Sequence, residues 1–163
     1  MIAIIIIISF FLEGLFSNLV PTDICLSPLF TLMALILIYP YFNKKNSLYY
    51  KTCFITGLFY DLVYTDTIVF NAFIFVLIGI IIVKLNQIIA NSCLNNSIMA
   101  LIIIIIFRII TYFFLFLIGN IEFSGHLIFE GIYSSVISNI IYICLGFIIT
   151  DSISRKLKIH KTT

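Results

Sequence analysis

The sequence predicts an all-α polytopic membrane protein, a bundle of six transmembrane helices, and three observations carry that reading. Of its 163 residues, 63% are hydrophobic and only 10% charged, with a mean hydropathy of +1.24. A water-soluble domain needs about a quarter of its residues charged, and nine Lys+Arg with seven Asp+Glu cannot cover such a surface. Apolar runs long enough to cross about 30 Å of hydrocarbon, roughly 20 residues each, recur along the chain. Lysines and arginines gather in alternate connections between those runs.

Taken in order, residues 1–20 form the first run, which ends at Pro21-Thr22-Asp23, a turn no helix carries into lipid. Pro28 opens a second run over 29–42, closed by Asn43-Lys44-Lys45-Asn46. The stretch 48–84 is too long for one crossing and is interrupted by Asp61, Asp66 and Asn71. It reads as two short helices, 48–65 and 67–84, joined by a tight turn near Asp66. A polar segment over 84–97 follows, then a span over 98–118, a loop over 119–125 and a sixth span over 126–150. Residues 151–163 make a basic tail, and the whole of 1–163 is one membrane domain without internal repeats. The isoleucine runs at 4–8 and 102–106 read as lipid-facing filler.

Charge placement orients the bundle, because Lys and Arg collect on the cytoplasmic side of short loops. Six spans with both termini cytoplasmic put Lys44, Lys45, Lys51, Lys84, Arg155, Lys156, Lys158 and Lys161 inside. The outer loops then carry Asp23, Asp66 and Glu122 and no basic residue. The amino terminus lacks the basic flank and small-residue cleavage site of a signal peptide and carries Glu13 in its apolar run, so it reads as an uncleaved helix. Cys25, Cys53, Cys93 and Cys144 are scattered, with neither a disulfide framework nor a metal knuckle in their spacing.

The informative residues are the charges inside the membrane: Glu13, Asp61 and Arg108. A charge at the bilayer centre costs about 2.5–3.5 kcal/mol on insertion scales, so it faces the protein interior and has a partner. In the six-span layout the three lie at similar depths, which allows Arg108 to pair with Asp61 or with Glu13. A structural ion pair suits them better than a proton or ion pathway, since pathways need chains of such groups.

The third span carries the densest pattern. Phe54, Gly57, Asp61 and Tyr64 fall within about a quarter-turn of one helix face at 100° per residue. Gly57 permits close backbone approach, and Asp61 one turn on can hydrogen-bond across the contact. This is a helix-docking face, for a neighbour in the same bundle or for a partner's helix.

Enzyme chemistry is not indicated. Tyr60-Asp61 matches one half of an intramembrane aspartyl protease, but the second aspartate in a Gly-x-Gly-Asp turn is missing, and Asp66 lies about 140° away round a helix. Ser124 and His126 are close only in sequence, and a nucleophile needs a base that is itself oriented. Glu122, His126 and Glu130 at four-residue intervals suit an ordinary polar helix entry better than a metal site, because Gly119, Asn120 and Gly125 interrupt them. His160 lies in the basic tail, an ordinary positive-inside flank. No cofactor or metal is expected.

The block F-x-x-G-L-x-Y-D-x-x-Y-T over residues 54–65, with Phe54, Gly57, Tyr60, Asp61 and Tyr64, resembles the MreD family of bacterial rod shape-determining membrane proteins. Glu13 in the first helix, Pro28 before the second, and His126, Ser135 and Asn139 in the sixth fit the same family. The chain departs from the family pattern at Val69, where a glycine is common, and near Ser134, where a proline is frequent. The resemblance implies a fold like that of the S components of energy-coupling-factor vitamin transporters. It also implies a non-enzymatic scaffold for cell elongation and peptidoglycan synthesis in the bacterial cytoplasmic membrane. Implied partners are an MreC-like membrane protein, the RodA-type glycosyltransferase with its transpeptidase, the MreB cytoskeleton and the bilayer, with no nucleic acid. The alternative is a vitamin-binding S component, whose site would gather polar groups beneath the outer loops. The residues available there are few: Asp66, Asn71, Asn120, Glu122, His126 and Glu130.

Overall fold

The computed structural model describes residues 1–19, 28–42, 45–65, 69–88, 91–119 and 124–156. These residues form six α-helices and a short 3-10 turn, with no strand among them: α1 Ile2–Leu19, α2 Phe30–Ile38 running into the 3-10 turn Tyr39–Phe42, α3 Asn46–Tyr64, α4 Phe70–Ile88, α5 Cys93–Leu117 and α6 Gly125–Lys156. The isoleucine-rich sequence would favour strands in water. In hydrocarbon a helix satisfies its own backbone groups and an open strand cannot, so the same runs become helices.

Apolar side chains cover the surface as well as filling the core. Large apolar side chains cover the outside, among them Ile4, Phe11, Leu62, Phe73, Phe113 and Leu145, while Ser9, Glu13, Asp61, Asn71, Ser135 and Asn139 are buried. An apolar exterior of this extent belongs in lipid. By length and composition α1, α4, α5 and α6 can each cross a membrane. Helix α3 has the length, at 19 residues, but Lys51, Asp61 and its hydroxyl groups lower its hydropathy.

Helix α2 is the exception in both length and environment. Its nine residues are all buried, and it touches α1, α4, α5 and α6. A helix apolar all round belongs in a core, and Leu32, Met33, Leu35 and Ile36 pack there against Phe75 and Ile78 of α4 and Ile103 and Ile104 of α5. Its regular turns stop at Ile38 because Pro40 has no N–H for the next helical bond, and the chain tightens into the 3-10 turn instead.

Three helix boundaries differ most from those the sequence predicts. Helix α5 starts at Cys93 instead of 98, because Ser92 caps it by accepting the Asn95 N–H at 3.3 Å. Asn95, Asn96 and Ser97 are thus the first turn of a helix. Helix α4 continues past Lys84 to Ile88, so the polar segment expected over 84–97 is mostly helical. Helix α6 runs 32 residues to Lys156, about 48 Å at 1.5 Å per residue. Its last turns are braced by the Asp151–Arg155 ion pair at 2.8 Å. The turns at Pro21–Asp23 and Asp66, Glu122 in the outer loop, Cys25, Lys44 and the tail residues Lys158, His160 and Lys161 lie outside the described residues.

Candidate functional site

Helix α2 begins inside the bundle, with Leu29, Phe30 and Thr31 buried. The first N–H groups of any helix lack intrahelical partners, and here neither water nor lipid can supply acceptors. Two neighbouring helices do. Asn139 of α6 places Oδ1 2.9 Å from the Leu29 N–H, and Glu13 of α1 accepts the Thr31 N–H on Oε2 at 2.8 Å. The carboxylate also meets the positive end of the helix dipole, an attraction that reaches about 2 kcal/mol in partly buried geometries.

Helix α4 begins under the same constraint and is met in the same way. Asp61 of α3 accepts the Asn71 N–H on Oδ1 and the Ala72 N–H on Oδ2, each at 3.1 Å. Its Oδ1 also accepts the Asn71 side-chain amide at 2.9 Å and the Thr65 hydroxyl at 3.1 Å. One turn earlier, Gly57 removes the side chain that would block this approach. A Cβ there would lie 2.5 Å from the Ala72 Cα and 2.7 Å from the Asn71 carbonyl oxygen.

Two tyrosines join this hairpin to α1. The Tyr60 hydroxyl donates to Glu13 Oε1 at 2.8 Å. The Tyr64 hydroxyl donates to the Phe10 carbonyl while its ring lies over Gly14, where a Cβ would come within 2.6 Å of the hydroxyl oxygen. Arg108 of α5 donates from Nε at 2.9 Å and from Nη2 at 2.6 Å to Ser135 Oγ. Ser135 donates its own hydroxyl to the Gly131 carbonyl at 2.8 Å, and the Asn139 amide donates to the Ser135 carbonyl at 2.6 Å. A Ser9–Tyr142 hydrogen bond ties α1 to α6.

These contacts form one buried polar belt that engages every helix. It runs from Arg108 through Ser135 and Asn139 to the start of α2, then through Glu13 to Tyr60 and, one residue along, Asp61 and the start of α4. The docking face expected on α3 is therefore turned inward. Gly57 and Asp61 meet α4, Phe54 lies edge-on to Phe73 of α4 with centroids 6.2 Å apart, and Tyr60 and Tyr64 meet α1.

The expected contact pair of Arg108 with Asp61 or Glu13 takes another form. Among the described residues the contact ion pairs are His126–Glu130 and Asp151–Arg155. Asp61 instead serves the α4 backbone, and Arg108 lies on Ser135. Ser135 and Asn139 stand out in the sequence only as polar residues within a span. Their spacing with Tyr142, at i, i+4 and i+7, marks one helix face and was the available signal for their role as partners. His126 sits in an exposed pair with Glu130 at 3.5 Å, and Ser124 donates its N–H to the Tyr112 hydroxyl. Among the described residues no three His, Cys, Asp or Glu side chains are gathered as metal ligands would be.

An apolar exterior, helices of membrane-spanning length and a buried belt of hydrogen-bonded polar groups define an α-helical membrane protein. The chain matches the family model described as rod shape-determining protein MreD over residues 1–152, which takes in all six helices but the last turn of α6. No curated protein matches it, and no solved structure does. The chain belongs to the MreD family and is a rod shape-determining membrane protein.

Proposed function

We propose that the protein is a non-enzymatic scaffold of the bacterial cell-elongation machinery, held in the cytoplasmic membrane with both termini on the cytoplasmic side. The observation that carries this reading is the use of the deep carboxylates. Glu13 and Asp61 each meet backbone N–H groups of a neighbouring helix start with one or both oxygens. Acids held in this way lock helices together, whereas intramembrane acids that move protons or bind substrates line a wet path or cavity. A rigid body of this kind suits a protein that positions others. Its partners, an MreC-like membrane protein first and then the RodA-type glycosyltransferase with its transpeptidase and the MreB cytoskeleton, would bind on the outer faces of the bundle, since the α3 face meets α1 and α4. The vitamin-binding alternative has no observation in its favour.

Depletion and complementation test the proposal. Rod-shaped cells depleted of the protein are expected to round or swell, and the tagged protein to co-purify with an MreC-like partner. Cells that stay rod-shaped, together with tight vitamin binding by the purified protein, would return the choice to a transporter component.

A further inference from the structure

The Ser9–Tyr142 hydrogen bond joins α1 to α6. The space between them is a cavity of about 410 Å³, walled by Ile5 and Ile8 of α1 and by Leu145, Ile149 and Ile153 of α6, with Leu37 of the core helix α2 as its floor. Tyr142 bounds its deep end. The shallow end lies where α1 begins and α6 finishes, so it opens toward one membrane face. That size falls within the roughly 300–1,000 Å³ of ligand-binding cavities. Its walls offer water almost no polar partner, and a water needs two to four of them. An unfilled space of this size would forfeit the dispersion contacts of every lining side chain. Inside a bilayer the apolar matter at hand is acyl chain.

Three residues beyond Ile153, which lines the cavity, α6 ends on a charge. Lys156 is exposed at the end of α6, and at 100° per residue it points within about 20° of Leu145 and Ile149, the residues that wall the groove. Its long apolar stem can lie along the groove edge while the ammonium stays at the headgroup level. Arg155 points elsewhere and is engaged with Asp151. Lys158 and Lys161 follow in the sequence. Basic residues between helices at a membrane surface attract anionic lipid headgroups.

We propose that this groove is a binding site for one anionic phospholipid, with an acyl chain between α1 and α6 over Leu37 and the headgroup phosphate at Lys156. The site is separate from the polar belt and does not depend on which proteins the scaffold binds.

The full-length protein, purified in mild detergent from membranes containing phosphatidylethanolamine and phosphatidylglycerol, would be examined by native mass spectrometry. One phosphatidylglycerol per chain is expected to survive. Lys156→Gln should reduce its preference over phosphatidylethanolamine about fivefold, the equivalent of about 1 kcal/mol per basic residue at the surface. Ile149→Trp, which fills the groove from an exposed position, should remove the retained lipid altogether with the helical circular-dichroism signal unchanged. Leu62→Trp, on the lipid-facing side of α3, should leave retention intact. Retention that survives Ile149→Trp, or that Leu62→Trp abolishes equally, would overturn the proposal. A second copy of the chain displaced by Ile149→Trp would overturn it too.

Discussion

Asp61 holds Asn71 by both its backbone and its side chain, accepting the main-chain N–H at 3.1 Å and the amide at 2.9 Å on the same carboxylate oxygen. The aspartate stands on α3 and the asparagine in the first turn of α4, so a residue ten positions upstream caps the helix. Glu13 does the equivalent for Thr31 across 18 positions. A capping residue ordinarily sits at the helix boundary itself. Here those boundaries lie within a bundle, and the acceptor comes from a neighbouring helix.

The Gly57 contact is with backbone, and that makes its prediction sharp. Gly57→Ala is expected to destabilise the protein by at least the roughly 1–3 kcal/mol typical of overpacking, because Ala72 Cα and the Asn71 carbonyl cannot move aside independently. Pairing it with Ala72→Gly should give no rescue, since the clash is with the main chain. Thermal unfolding of the purified variants in detergent would read both, and rescue by Ala72→Gly would place the contact elsewhere.

Val69 has φ of +66° immediately before α4. That left-handed conformation costs an ordinary L-residue about 1–2 kcal/mol, and a β-branched side chain makes it a rare outlier. Val69→Gly is therefore expected to keep the fold and to raise the unfolding midpoint or leave it unchanged, with Val69→Ala in between. A clear fall for the glycine variant would mean that the valine side chain supplies packing that outweighs its strain.

For Arg108 the expected direct partner is Ser135. A double-mutant cycle with Arg108→Leu and Ser135→Ala should give a coupling of about 0.5–3 kcal/mol, the range for side chains in one network. Glu13 should couple more weakly, through charge alone. Arg108→Lys should not restore the variant fully, because a lysine offers one donor nitrogen where the guanidinium grips Ser135 Oγ from two. Stronger coupling of Arg108 to Asp61 than to Ser135 would contradict this arrangement.

Much of this was open to inspection in the sequence, and the part that was not has a common cause. The helices appear as apolar runs, and the 54–65 block marked Gly57, Asp61 and Tyr64 as an interface because small and polar residues in lipid need protein neighbours. What one strand of sequence could not show was which groups the acids would serve. An aspartate, a glutamate and an arginine at one depth suggest ion pairs, since side-chain charges are visible in a sequence. The competing acceptor-seeking groups are backbone N–H donors at Leu29, Thr31, Asn71 and Ala72, which carry no residue signature and matter only where a helix starts out of reach of water. The polar stretch at Asn95–Ser97 reads as a loop for a different reason, since Asn and Ser favour turns, although Ser92 caps a helix through it.

The central claim is that the deep carboxylates build the scaffold and do not act on a partner or substrate. Cells depleted of the native protein and supplied with Asp61→Leu test it most directly, with variant abundance and cell shape measured in the same culture. The substitution leaves the Asn71 and Ala72 N–H groups without their acceptor, at about 1–3 kcal/mol for each buried orphan. Abundance and rod shape are therefore expected to fall together, and to recover together when expression is raised. Full abundance of Asp61→Leu in rounded cells would contradict the account, because the carboxylate would then be needed for something other than holding α3 to α4.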